Sequence, residues 1–155
     1  MPKVHRPAAA VCANDRGAGN ADPQVPLGDC KKDEDCTSGL AGRCLASMSG
    51  PKGNSCSYDA CYADADCGGG QVCSCRATSS YPNLCVKGNC VADADCNGNY
   101  CSPSVTFDRI NIGVTGYFCH TPADACVDDG DCGSTSKCAW NGTAWACSDK
   151  AFFPP

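Results

Sequence analysis

Four pairs of aspartates are the residues of this chain best placed to do chemistry. They recur in "CKKDEDC" (30–36), "CYADADC" (61–67), "CVADADC" (90–96) and "CVDDGDC" (126–132), as Asp33 and Asp35, Asp64 and Asp66, Asp93 and Asp95, and Asp129 and Asp131. One use for such pairs is calcium binding, yet each loop offers only two acids to an ion that takes about 6–8 oxygens. The other is local: a short acid accepts N–H donors that a tight turn leaves unpaired. The second use is the expectation. Asp33, Asp64, Asp93 and Asp129 should cap the turn that leads to the second cysteine, and Asp35, Asp66, Asp95 and Asp131 should lie beside the exposed N–H groups at its start.

A second candidate is "CAWNGTAWAC" (138–147). Asn-Gly between short alternating runs signals a hairpin with a two-residue turn. With Asn141-Gly142 as that turn, Trp140 faces Thr143 and Cys138 faces Trp145. Trp140 and Trp145 then share a face diagonally, as a platform for carbohydrate or an aromatic ligand or as cover for a disulfide. Asn141-Gly142-Thr143 is also an N-glycosylation sequon. Catalytic groupings are missing: the sequence has no GxSxG, P-loop, GxGxxG or metal triad, and its two histidines, His5 and His120, stand apart. A non-enzyme without cofactor is expected.

The cysteines decide what must position these residues. There are 18 in 155 residues, a density that marks a disulfide scaffold. Val, Ile, Leu and Phe together make up about an eighth of the chain, too little apolar surface to offset backbone entropy without cross-links. The even count allows complete pairing. There is no CxxC, and one CxC (Cys73, Cys75) with two scattered histidines is a poor zinc set. Oxidised cysteines imply a secreted or cell-surface protein. The N-terminal "MPKVHRPAAAVCAN" has basic residues but no apolar h-region, which reads as a mature or processed chain. No run is long enough to span a bilayer. A net charge of −5 without a basic patch argues against nucleic acid.

Sixteen cysteines fall into four repeats: Cys30, Cys36, Cys44, Cys56; Cys61, Cys67, Cys73, Cys85; Cys90, Cys96, Cys101, Cys119; and Cys126, Cys132, Cys138, Cys147. The first gap is constant and the third varies most, so a rigid turn precedes a variable loop. Four cysteines allow three pairings. First-to-third with second-to-fourth is favoured, because it interlocks two short loops and leaves the variable segment free. Cys12 and Cys75 remain and should join. The expected fold is small and disulfide-rich, mostly coil with short β-hairpins and single helical turns, a tandem array of four cysteine-rich units. An extended N-terminal arm (1–29) precedes units at 30–60, 61–89, 90–125 and 126–148, and a tail (149–155) follows. The longest insertion, with Val105, Phe107, Ile110, Ile112 and Val114, should form a longer hairpin that packs on its neighbours.

From "GDCKKDEDC" to "AWACS", roughly residues 28–148, the chain resembles the secreted cysteine-rich repeat proteins of GC-rich bacteria such as myxobacteria. That resemblance implies location more than activity. "CGGGQVCSC" (67–75) has a weaker, local resemblance to whey-acidic-protein modules, and the C-x-x-D-x-D-C pattern to Dickkopf and colipase-like modules. The leading functional expectation is a non-catalytic extracellular structural or interaction protein that binds a protein partner or self-associates through its arm or tail. One alternative is a protease inhibitor or toxin-like effector presenting a loop with Lys52 or Arg76 as specificity residue. Another is a calcium-stabilised surface adhesion module.

Overall fold

The computed structural model describes residues 4–25, 28–46, 53–78, 81–107 and 112–149. Lys52, Ile110, Phe152 and Phe153 lie outside them. Among the described residues the only helices are 3-10 turns, at Asp33–Asp35, Asp64–Asp66, Asp93–Cys96 and Asp129–Asp131. Each sits between the first two cysteines of a repeat. Strands follow each turn: β1 (Leu40–Ala46) and β2 (Asn54–Asp59), β3 (Gln71–Ser74) and β4 (Leu84–Gly88), β5 (Cys101–Phe107) and β6 (Ile112–Cys119), β7 (Lys137–Trp140) and β8 (Trp145–Ser148). The chain is therefore a small, disulfide-rich tandem array of four cysteine-rich units.

All 18 cysteines are oxidised and none is free. Within the repeats the bonds join Cys30–Cys44, Cys61–Cys73, Cys90–Cys101 and Cys126–Cys138, first to third. Cys36–Cys56, Cys67–Cys85, Cys96–Cys119 and Cys132–Cys147 join second to fourth. Cys12 bonds Cys75. Strand pairing explains the rule. The third and fourth cysteines lie directly opposite in β1–β2 (Cys44↔Cys56), β5–β6 (Cys101↔Cys119) and β7–β8 (Cys138↔Cys147). Each repeat thus bolts one 3-10 turn to two adjacent strands by two bonds. Sulfur also makes the core. Separate buried clusters form around Cys30, Cys36 and Cys44, around Cys12, Cys61 and Cys73, around Cys90, Cys96 and Cys101, and around Cys126 and Cys138 with Phe118 and Trp145.

The chain divides into two compact units. The first comprises Met1–Ala10, Gly68–Val72 and Val86–Pro155. Within it Lys87 and Gly88 pair in parallel with Gly116 and Tyr117 of β6, and β5 is antiparallel to β6. The second comprises Val11–Cys67 and Cys73–Cys85, with the β1–β2 hairpin.

Two expectations need correction. The β7–β8 register pairs Trp140 with Trp145 directly, not diagonally, and the loop holds four residues, 141–144. Asn141 Oδ1 accepts the N–H groups of Thr143 and Ala144 and the Thr143 hydroxyl (each 3.0 Å), which opens the turn beyond an Asn-Gly pair. The β5–β6 hairpin is long, as expected, but Val105 and Val114 are only half-buried. Its buried residues include Ser102, Ser104 and Phe118; Val105 alternates away from Ser104, and Val114 lies beyond the register shift between Ser104 and Val105.

Candidate functional site

The aspartate pairs form the same circuit in every repeat. The second acid caps the turn. Asp35 Oδ2 accepts the N–H groups of Lys31 and Lys32 (2.8 and 3.1 Å), Asp66 those of Tyr62 and Ala63 (2.8 and 2.9 Å), Asp95 those of Val91 and Ala92 (2.7 and 3.0 Å), and Asp131 those of Val127 and Asp128 (2.7 and 3.1 Å). The first acid reaches further. Oδ1 of Asp33, Asp64, Asp93 and Asp129 accepts the N–H of the third cysteine, Cys44, Cys73, Cys101 and Cys138, at 2.8, 2.9, 2.9 and 3.0 Å. The second acid lies where expected, on the N–H groups at the start of the turn, whereas the first acid departs from its expected capping role and accepts the third cysteine's N–H. The side chain of the last turn residue folds back over the N–H groups just after the first cysteine, while the first acid points at the strand the disulfide brings alongside.

Electrostatics follow from these bonds. Paired backbone donors hold the carboxyls of Asp35, Asp66 and Asp95 below the usual carboxylate range. Burial pushes Asp33 up, but the N–H groups of Gly19 and Cys44 and the charges of Arg43 and Arg16 outweigh it, leaving Asp33 lowered. Its Oδ2 accepts the Gly19 N–H at 2.9 Å, and Asp93 Oδ2 meets His5 Nδ1 at 2.6 Å. The arm is held by the oxygens the repeats leave over. Carboxylates turned onto N–H donors are not arranged as a calcium ligand set. Among the described residues, the groups of three or more close ligand atoms are cysteine sulfurs, such as Cys30, Cys36 and Cys56, and disulfide sulfur is no thiolate.

The second compact unit holds a charge cluster that sequence reasoning missed. The Asp59 carboxylate is fully buried, with Arg76 Nη2 2.6 Å and Nη1 3.2 Å from Oδ2. Oδ1 accepts the Asn83 N–H at 2.9 Å and lies 3.9 Å from Nη1 of Arg16, which is itself fully buried. Arg16 also donates to Ser57 O and Oγ (2.9 and 2.8 Å) and to Ala41 O (3.3 Å). Burial pulls Arg16 below the usual arginine value while Asp59 pulls it up. Arg76 is therefore a buried ion-pair partner, not the specificity residue of a presented loop. Composition offered no signal beyond an arginine in a chain richer in acids.

In the first compact unit the two tryptophans separate in role. Trp145 is 2% exposed; its Nε1 donates to Cys119 O (3.3 Å) and its ring stacks on His120 (4.4 Å between centroids). It is withdrawn from any surface platform. His120 Nδ1 lies 3.0 Å from Asp124 Oδ2, so Nδ1 carries the proton, and Nε2 is buried with no partner among the described residues. Burial lowers the His120 imidazole and Asp124 only partly restores it. Trp140 is half-buried and stacks flat on Phe118, 4.8 Å away at 9°. Both rings line an open cleft of about 570 Å³ with Gly69, Gly70, Gln71, Lys87, Gly88, Asn89 and Gly142. Asn141 is exposed at the loop beside it.

Compared with protein-family models, curated proteins and solved structures, the chain matches none. Nine disulfides and no free thiol mark a protein of an oxidising, extracellular environment. No helix among the described residues is long and apolar enough to cross a membrane.

Proposed function

We propose that this chain is a non-catalytic extracellular interaction protein, secreted or displayed at a cell surface, whose repeats are built for persistence. The observation that supports this is the repeated circuit. In each repeat both carboxylates and both disulfides act on the repeat's own backbone. The most repeated chemistry of the chain is thereby used to hold it together. The resemblance to secreted bacterial cysteine-rich repeats agrees with that reading. The described arm is engaged within the chain: Arg6 lies over the Tyr117 ring (4.4 Å), Cys12 is bonded and Arg16 is buried. Val4 and Val11 of the arm stay exposed, so its outer face is open to partner contact along with other exposed surface.

Protease challenge tests this reading. The oxidised protein should survive trypsin and thermolysin long after the reduced, alkylated chain is gone, and should hold one mass by light scattering. Oxidised protein digested as fast as the reduced chain would refute it.

A further inference from the structure

The cleft in the first compact unit has a lining that the scaffold does not need. Its apolar wall is the Trp140–Phe118 stack, and three polar side chains join it: Gln71, Lys87 and Asn89. Asn89 Oδ1 is taken by the Cys119 N–H at 2.8 Å, so its amide is pinned and Nδ2 is the group it retains for a ligand. Lys87 and Gln71 are exposed. The lining includes a cation and no acid, in a chain of net charge −5. Glycines form the rest. A Cβ built at Gly69 or Gly70 would meet nothing within 4 Å, so that rim is bare backbone beside open space. The volume falls in the range of small-molecule sites, about 300–1,000 Å³.

These features select a ligand class. Aromatic carbon suits the C–H face of a pyranose ring. Amide side chains both donate and accept, as hydroxyl recognition requires. A lysine ammonium against no opposing acid suits a carboxylate. We propose that this cleft binds a carboxylated pyranose of an acidic extracellular polysaccharide, with Trp140, backed by the buried Phe118, as the ring wall and Lys87 as the carboxylate partner. This rests on the reading of the chain as an extracellular interaction protein and deepens it.

The test titrates the oxidised protein with short oligomers of galacturonate, mannuronate and hyaluronan, and with the neutral maltotriose and cellotriose. Amide shifts are followed by NMR and affinity by calorimetry. Gly69→Phe places a ring at the cleft from a position where an added Cβ meets nothing within 4 Å, so the fold should survive while binding falls at least tenfold. Lys87→Ala should weaken an acidic oligomer about tenfold and leave any neutral one unchanged. Shifts should centre on Gly69, Gly70, Gly88 and Asn89. If no acidic oligomer binds at millimolar concentration, or binding ignores both substitutions, or neutral sugars bind equally well, the proposal is overturned. A protein that stays protease-resistant yet binds no glycan loses this inference alone, whereas protease sensitivity removes the reading beneath it.

Discussion

Replacing Asp59 by asparagine removes the negative charge that contacts both buried arginines while keeping the shape of the side chain. Removing one partner of a buried ion pair costs about 3–5 kcal/mol, because the other charge is left uncompensated. The lower end applies here. The carbonyl of the substituted amide would still accept the Asn83 N–H, sparing about 1 kcal/mol. Arg76 would keep Ala13 O as an acceptor (3.1 and 3.3 Å), and Arg16 would keep Ser57 and Ala41. A loss near 3 kcal/mol corresponds to roughly a hundredfold more local opening. Trypsin reads that opening directly, since cleavage of a transiently open site follows its equilibrium population when reclosing is fast. In oxidised D59N, cuts after Arg16 and Arg76 should therefore accelerate about a hundredfold. Asp15→Asn makes the same charge change at an exposed neighbour of Arg16 and is the control. D59N cut no faster than D15N would show that Asp59 does not hold these arginines, and the account of the cluster would fail.

The Asp64 circuit has its own signature: Asp64→Ala should speed hydrogen exchange of the buried Cys73 amide by about 5–150-fold, the equivalent of about 1–3 kcal/mol for an orphaned donor, while Asp64→Asn should retain much of the protection. Equal exchange in both variants would refute it. Cys12 Sγ lies 3.5 Å from Cys73 Sγ, so in Cys75→Ser the freed Cys12 thiolate should attack Cys73, break Cys61–Cys73 and release Cys61 as thiolate; peptide mapping that finds Cys12 as the sole free thiol would rule this out. His120 is held below the ordinary imidazole value, so its contribution is complete above about pH 6.5 and is lost as pH falls through that value towards the lowered folded one. Wild-type melting temperature should fall on acidification across that window, with a shallower slope in His120→Phe. Because the carboxylates of Asp35, Asp66 and Asp95 are lowered, a further loss begins below about pH 4, and calcium chelators should leave the melting temperature unchanged at neutral pH.

Cysteine spacing carried most of the architecture because a disulfide is a covalent statement about distance, and a constant five-residue gap permits few turn geometries. The roles within each aspartate pair were harder to read. Local capping rules see only neighbours along the chain, and Asp33, Asp64, Asp93 and Asp129 each reach a donor that becomes a neighbour only when the first-to-third bond forms. The β7–β8 register failed for a related reason. Asn-Gly is a local signal, whereas Cys138↔Cys147 repeats the opposition seen at Cys44↔Cys56 and Cys101↔Cys119. Counting inward from opposed cysteines pairs Trp140 with Trp145 and leaves four residues for the loop. The cysteine rule, applied consistently, would have overruled the dipeptide.

Arg16, Asp59 and Arg76 were invisible on the same grounds, with no covalent marker to help. Charged residues are read as surface unless something pairs them, and here the pairing depends on the arm and on β2 arriving together. Sulfur clusters fill little volume, so a chain this poor in large apolar side chains must bury something else. In the second compact unit it buries guanidinium stems and a carboxylate, with Asn83 filling the remaining polar positions. In the first it buries Ser102, Ser104 and His120 beneath Trp145 and Phe118. Disulfides make that substitution tolerable, since they constrain the unfolded chain and leave the interior free to be polar. The fold is thereby stabilised with few large hydrophobic groups, and Trp140, half-buried and lining the cleft, is among the few it leaves available to a ligand.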